Sequence, residues 1–162
     1  MNRLCVVVFG ALSAIVASAT TVALEWDEIL VTESKSNLIS LGERKVMGYY
    51  GTGAGLLIQA DRRAPLGSYE CAGMVDIAGD GTSLNIECVI TDPTGEQAYL
   101  TVVRAKSDTF AAGAGVYRYT GGTGAWADFR AECAYQVTYM PSKVHGVEVA
   151  TCSGDVLPPP LR

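Results

Sequence analysis

Apolar and polar residues alternate along most of this chain with a period of two, in runs interrupted by glycine, proline, aspartate and asparagine at intervals of roughly ten residues. That period belongs to strands, whose successive side chains point to opposite faces. It predicts strands at 26–33, 45–50, 54–59, 69–77, 82–91, 97–105, 115–120, 129–140 and 145–152, and no helix in the mature chain. Antiparallel strands in that number must deal with exposed edges, and closing into a barrel removes them. The expected fold is therefore all-β: a single-domain antiparallel barrel of about eight strands over residues 24–156.

The central strands carry enough pattern to set their register. A four-residue turn at 78–81 places Cys71 opposite Cys88, Gly73 opposite Ile86, Val75 opposite Leu84 and Ile77 opposite Thr82, all on one face. Asp76, Asn85 and Glu87 fall on the other, and a slip of one residue would mix the two sets. The next reversal, at 92–96, contains Asp92, Pro93 and Gly95 and sets Ile90 opposite Tyr99, Cys88 opposite Thr101 and Ile86 opposite Val103. That register leaves Leu100, Val102 and Arg104 outside, where a partner or second layer would cover them. A last hairpin centred on Ser142 and Lys143 pairs Cys133 with Cys152, Tyr135 with Ala150 and Val137 with Glu148. Glu148 then sits on a face that otherwise looks interior. It lies near the rim, or is neutralised by a partner, or marks a bulge that shifts the register.

Directly opposed positions in a sheet approach the spacing a disulfide needs. The expectation is two bridges, Cys71–Cys88 and Cys133–Cys152. Such bridges persist in oxidising compartments, and the amino terminus agrees. Arg3 precedes an apolar run from Leu4 to Val16, followed by Ala17, Ser18 and Ala19, the form of a signal peptide spanning residues 1–19. A second small-residue cut follows Ala23. The run is shorter than the roughly 20 residues of a spanning helix, and no other stretch could span a membrane. The location expected is secreted, periplasmic or extracellular. Cys5 falls within the leader, so the mature chain keeps an even number of cysteines.

Of the 12 basic and 17 acidic residues, the leader removes only Arg3, leaving 11 against 17, or −6. That balance argues against nucleic acid as a partner. Arg62 and Arg63 form the one adjacent basic pair and read as a solvated loop tip. No cysteine pair has zinc-knuckle spacing and His145 is the lone histidine, so no metal or cofactor is expected. The chain ends in a proline-rich tail, 157–162, expected to be extended.

The stretch Tyr117-Arg118-Tyr119-Thr120-Gly121-Gly122-Thr123-Gly124-Ala125-Trp126 resembles the strand, Gly-Gly-Thr/Ser-Gly turn and aromatic of the allene oxide cyclase and dirigent barrels. The hairpin from Cys71 to Asp92, followed by Pro93, Thr94 and Gly95, is similar to that of small secreted bacterial proteins of this barrel type. The resemblance implies an eight-stranded antiparallel barrel with an apolar central cavity, often in a homo-oligomer. It delivers no catalytic residues: neither the polar set of the cyclases nor the acid and arginine positions of dirigent proteins map onto this chain. Independently of the family, the glycines permit a sharp corner that lets Trp126 fold over the barrel end.

Candidate chemistry is sparse. His145 beside a turn reads as solvated, and no triad forms around it. The glycines at 51, 53 and 55 lack the strand–turn–helix context of a nucleotide site and read as a flexible or bulged strand start. Asp92 reads as a turn cap, and Glu148 is the one carboxylate expected to point inward. Tyr117, Tyr119, Tyr135 and Tyr139, with Trp126 and Glu148, are the candidate pocket residues: they line a cavity for a small apolar ligand or simply fill the barrel. The function expected is a small-ligand-binding or structural module without catalysis. The alternatives are an isomerase or cyclase-like enzyme in the same cavity, or an envelope or surface interaction module. An open, wholly apolar cavity would favour the first, convergent polar groups the second, and a filled interior the third.

Overall fold

The computed structural model describes residues 23–106, 108, 113–142 and 144–162; the expected signal segment lies outside them. Eight strands run in chain order around a closed barrel: β1 (Leu24–Leu41), β2 (Arg44–Gln59), β3 (Arg62–Ala78), β4 (Gly81–Thr91), β5 (Gln97–Arg104), β6 (Ala114–Gly122), β7 (Ala131–Tyr139) and β8 (His145–Gly154). Every neighbouring pair is antiparallel. β8 returns to β1 from Leu24↔Gly154 to Glu33↔His145, so these strands have no open edge within the barrel. Among the described residues no helix is long and apolar enough to cross a membrane.

The register of β3 with β4 is the one the cysteine spacing predicted, with Cys71 opposite Cys88, and β7 with β8 likewise sets Cys133 opposite Cys152. Both disulfides are formed.

Four expectations change. The register of β4 with β5 is shifted by one residue: Ile90 faces Ala98, Cys88 faces Leu100 and Ile86 faces Val102. The cause is the turn. Asp92 N–H donates to Glu96 O and Gly95 N–H to Asp92 O, so five residues form the loop and Thr91 pairs with Gln97. One residue of slip exchanges the faces: Leu100 and Ala98 are buried, and Tyr99 and Val103 are exposed. Second, 45–50 and 54–59 belong to one strand, β2. Its glycines do not break it, because Gly51, Gly53 and Gly55 face inward and lie under bulky neighbours. A side chain on Gly53 would meet Val31 O at 2.0 Å and the Tyr69 ring at 2.7 Å, and one on Gly55 would meet Leu66 at 2.9 Å. Third, Phe129 precedes β7 and is buried. Fourth, the tail is docked. Pro159–Leu161 forms a 3-10 turn, Leu161 is buried, and Arg62 donates through Nη1 to Leu161 O at 2.7 Å and through Nη2 to Gln59. Arg62 is thus a strap for the tail rather than a loop tip.

A bulge at Leu66 lets Pro65 sit in β3, where its missing N–H would otherwise interrupt the ladder. Leu66 turns into the core and is fully buried.

One end of the barrel is filled. Trp126 stacks on Tyr119 with ring centroids 5.9 Å apart and planes at 15°, Phe129 meets both edge-on at 5.1 Å, and Trp26 closes against Phe129 at 5.9 Å. Such pairs add about 0.5–1.5 kcal/mol each beyond the area they bury. The Gly121-Gly122-Thr123-Gly124 corner makes this possible. Gly122 leaves room for Trp126, whose Cβ lies 2.6 Å from where a side chain on Gly122 would begin. Trp126 Nε1 donates to Asp92 Oδ2 at 2.9 Å, while Asp92 Oδ1 accepts from Thr94 N, Thr94 Oγ1 and Glu96 N. Burial pushes the Asp92 carboxyl up, but the hydrogen bonds from Thr94, Trp126 and the Thr94 and Glu96 backbone outweigh it and hold it below its ordinary value.

Candidate functional site

Beyond the aromatic plug the barrel is not filled. A chamber of about 240 Å³ occupies the end where β1 gives way to β2, β3 to β4 and β7 to β8. Its wall is mostly apolar, built by inward positions such as Leu30, Val75, Ile86, Leu100 and Val102 with the Cys71–Cys88 bridge. Space remains because several large rings lie against the wall over inward glycines. The Tyr49 ring covers Gly51, Tyr69 covers Gly53 and Tyr135 covers Gly115, each within 3 Å of where a side chain on that glycine would start.

Two carboxyl groups face this chamber. Glu28 is on β1 in the alternation Trp26, Glu28, Leu30, Thr32, and is completely buried. Three side chains donate to it: Trp26 Nε1 to Oε1 at 3.0 Å, Tyr117 OH to Oε2 at 2.7 Å, and Tyr119 OH to Oε1 and Oε2 at 2.9 and 3.0 Å. Burial pushes the Glu28 carboxyl up, and these three donors hold it back in part. The Tyr117 and Tyr119 phenols are driven well above their ordinary value by burial, then by the charge of Glu28.

Glu148, on β8, lies opposite Val137 of β7 and Leu30 of β1. The register the sequence suggested holds without a bulge, and the carboxylate turns into the chamber. Tyr135 and Tyr139 are its diagonal neighbours on β7, Glu28 and Thr32 on β1. No side chain among the described residues donates a hydrogen bond to it. Burial, then the charge of Glu28, pushes its carboxyl up to about 7. Burial likewise raises Tyr49 and Tyr135 to about 12, and Tyr69 and Tyr139 above the ordinary phenol value. Thr32 is buried, and among the described residues its Oγ1 has no hydrogen-bond partner. The Tyr49 and Tyr69 hydroxyls lie close enough to be influenced by it, but neither meets it in hydrogen-bonding geometry, and Tyr69 OH reaches Val31 O instead at 3.4 Å.

Of the residues singled out from the sequence, Tyr117, Tyr135, Tyr139 and Glu148 line the chamber. Trp126 belongs to the plug, and Tyr119 is shared between the plug and the Glu28 network. Five polar lining residues went unrecognised: Glu28, Thr32, Tyr49, Tyr69 and Arg104. Glu28 and Thr32 were legible in the Trp-x-Glu-x-Leu-x-Thr alternation, which puts them on the face of Trp26 and Leu30. Arg104 was assigned to the outside by the slipped register; it lines the chamber and has an interaction of its own. His145 is exposed at the start of β8.

Glu28 and the Cys133 and Cys152 sulfurs lie close together, but both sulfurs are spent in a disulfide. They offer no thiolate, so the group is not a metal site.

No family model matches the chain, and no curated protein matches it. Among solved structures a pterocarpan synthase dirigent protein aligns over 90% of this chain and 96% of its own, with 10% identity and a TM-score of 0.41. The barrel described above rests on its own strand pairing.

Proposed function

We propose that this protein is a secreted, disulfide-stabilised barrel that binds a small, largely apolar molecule in its chamber without transforming it. The observation that carries this reading is a wall-lined space of about 240 Å³, floored by an aromatic plug and bounded mainly by aliphatic side chains and tyrosine rings. Ligand sites have this character: apolar surface for affinity and a few polar groups for orientation. The volume lies below the range usual for drug-sized ligands, so the ligand is compact.

The polar groups that converge on the chamber favour a second reading, an isomerase or cyclase-like enzyme with Glu148 as acid or base. Binding is preferred because of how the two acids are held. Glu28 spends its oxygens on three internal donors, and among the described residues no side chain donates a hydrogen bond to aim Glu148, whereas a catalytic group is fixed by supporting hydrogen bonds. The resemblance to the allene oxide cyclase and dirigent barrels fits either reading.

Native mass spectrometry of the exported protein tests the proposal, together with NMR titration of toluene as a small apolar probe. A co-purified small molecule, or toluene-induced shifts confined to chamber residues such as Ile86 and Leu100, is the expected result. No bound species and no shift would refute it. Turnover of a captured molecule would establish the enzymatic reading.

A further inference from the structure

We infer that the chamber selects a small organic cation, an ammonium group on a compact apolar body, seated between the Glu148 carboxylate, Thr32 Oγ1 and the rings of Tyr49, Tyr69, Tyr135 and Tyr139. This deepens, and rests on, the reading of the chamber as a ligand site.

Two oxygen-bearing groups facing the chamber, Glu148 and Thr32, point to a donor-rich ligand. Glu148 offers two carboxylate oxygens that no described side chain serves, and Thr32 Oγ1 is a buried oxygen without a partner among the described residues. An unpartnered buried polar atom costs free energy until something meets it. An ammonium group carries three donors and no acceptor. It can satisfy Glu148 and Thr32 together, whereas a neutral hydroxyl brings one donor. These two groups are diagonal neighbours across the β8–β1 pair, with Leu30 between them in register. One small head group can therefore reach both.

The surroundings suit positive charge. Five tyrosine rings line the same space, the four just named and Tyr117, and aromatic faces attract cations most strongly where water is excluded. Glu28 lies one diagonal step from Glu148 on the other side and adds negative potential from deeper in the barrel. An anionic ligand would have to share about 240 Å³ with two carboxyl groups. The opposing charge is Arg104 at the end of β5, which lines the chamber and has an interaction of its own.

Occupancy and protonation are then linked. The groups facing Glu148 are Glu28 and Thr32 from β1, Tyr49 from β2, Tyr69 from β3, Arg104 from β5, Tyr117 and Tyr119 from β6, and Tyr135 and Tyr139 from β7. Burial and Glu28 bring the Glu148 carboxyl to about 7. A bound ammonium opposes both influences, so the cation binds better above that pH and expels a proton when it binds near or below it.

The test is isothermal titration calorimetry of the intact, disulfide-bonded protein with benzylamine, benzyl alcohol and benzoate, at about pH 8 and about pH 5.5, with toluene as the neutral reference. At the higher pH the amine should bind at least about tenfold more tightly than the alcohol, and at the lower pH the advantage should shrink to about threefold or less. Glu148→Gln should abolish the amine's advantage over the alcohol. Thr32→Val should weaken the amine severalfold relative to toluene. If Glu148→Gln fails to fold, the pH profile of the unaltered protein decides the question. Equal affinity of amine and alcohol at about pH 8 would overturn the cation assignment, while toluene binding would leave the chamber's role as a ligand site standing. Preference for benzoate would overturn it in favour of Arg104 as the charge that sets selectivity. Failure of all three ligands and of toluene would overturn both inferences.

Discussion

Glu148 should destabilise this barrel at alkaline pH, and removing its charge should reverse the effect. Its carboxyl is pushed from the ordinary 4.5 to about 7 by burial and then by Glu28. Between those values the folded protein holds a proton that the unfolded chain has released, so stability falls as pH rises through the window and the whole cost is present above about 7. A shift of about two and a half units, at ~1.36 kcal/mol each, amounts to about 3 kcal/mol. Contact with whatever solvent enters the chamber lowers this to about 2–3 kcal/mol. Glutamine has nearly the same shape and cannot ionise. Urea unfolding of the native and Glu148→Gln proteins, followed by tryptophan fluorescence and near-ultraviolet circular dichroism, should give equal stabilities near pH 4.5. Above about pH 8 the variant should be more stable by about 2–3 kcal/mol, or roughly 5–10 °C in Tm. Trp26 and Trp126 both lie in the plug, so the signal reports the barrel itself. A difference that does not change with pH would show that the Glu148 carboxyl is not shifted. A variant less stable at high pH would show that Glu148 is paired with a cation, Arg104 being the one lining the chamber. Either result would refute the reasoning.

Tyr117→Phe removes the shortest hydrogen bond to Glu28 and should cost about 1.5–3 kcal/mol, with a larger loss at high pH, where the carboxylate depends most on its donors; chemical denaturation at two pH values measures both. Gly53→Ala drives a methyl group to within 2.0 Å of Val31 O and should destabilise by about 3 kcal/mol or more, whereas Gly48→Ala meets nothing within 4 Å and should be neutral or stabilising by up to about 1 kcal/mol. Thermal melts of the pair separate close packing from a general effect of glycine. Replacing both Cys133 and Cys152 by alanine opens a loop with a sequence separation of 19 and should cost about 3 kcal/mol in unfolding free energy. Non-reducing peptide mapping of the unaltered protein should recover only Cys71 with Cys88 and Cys133 with Cys152.

Most of the architecture could be read from the chain because a strand period of two is strict and cysteines report register directly. Cys71 and Cys88 fixed one hairpin, and Cys133 and Cys152 another. The hairpin without such a marker, β4 with β5, slipped by one residue because a five-residue loop capped by Asp92 has no signature that separates it from a four- or six-residue one. That single slip hid Arg104 and put Leu100 and Val102 on the wrong side. The continuity of β2 was hidden for another reason. Glycine weakens a strand in isolation, and only the rings of Tyr49 and Tyr69, the latter brought from another strand, explain why Gly51 and Gly53 are there. Glu28 was passed over although its alternation with Trp26, Leu30 and Thr32 placed it inside, because a lone carboxylate in a strand usually marks the solvent face. Its three donors come from residues up to 91 positions away in the sequence, and no local pattern announces them.

The aromatic floor closes one side of the acid next to it. Glu28 is walled by strands, backed by Trp26 and Tyr119, and lines the chamber that Glu148 overlooks. An occupant of the chamber would therefore lie between that buried acid and the barrel mouth, and the rate at which Glu28 exchanges its proton would follow the occupant's residence there.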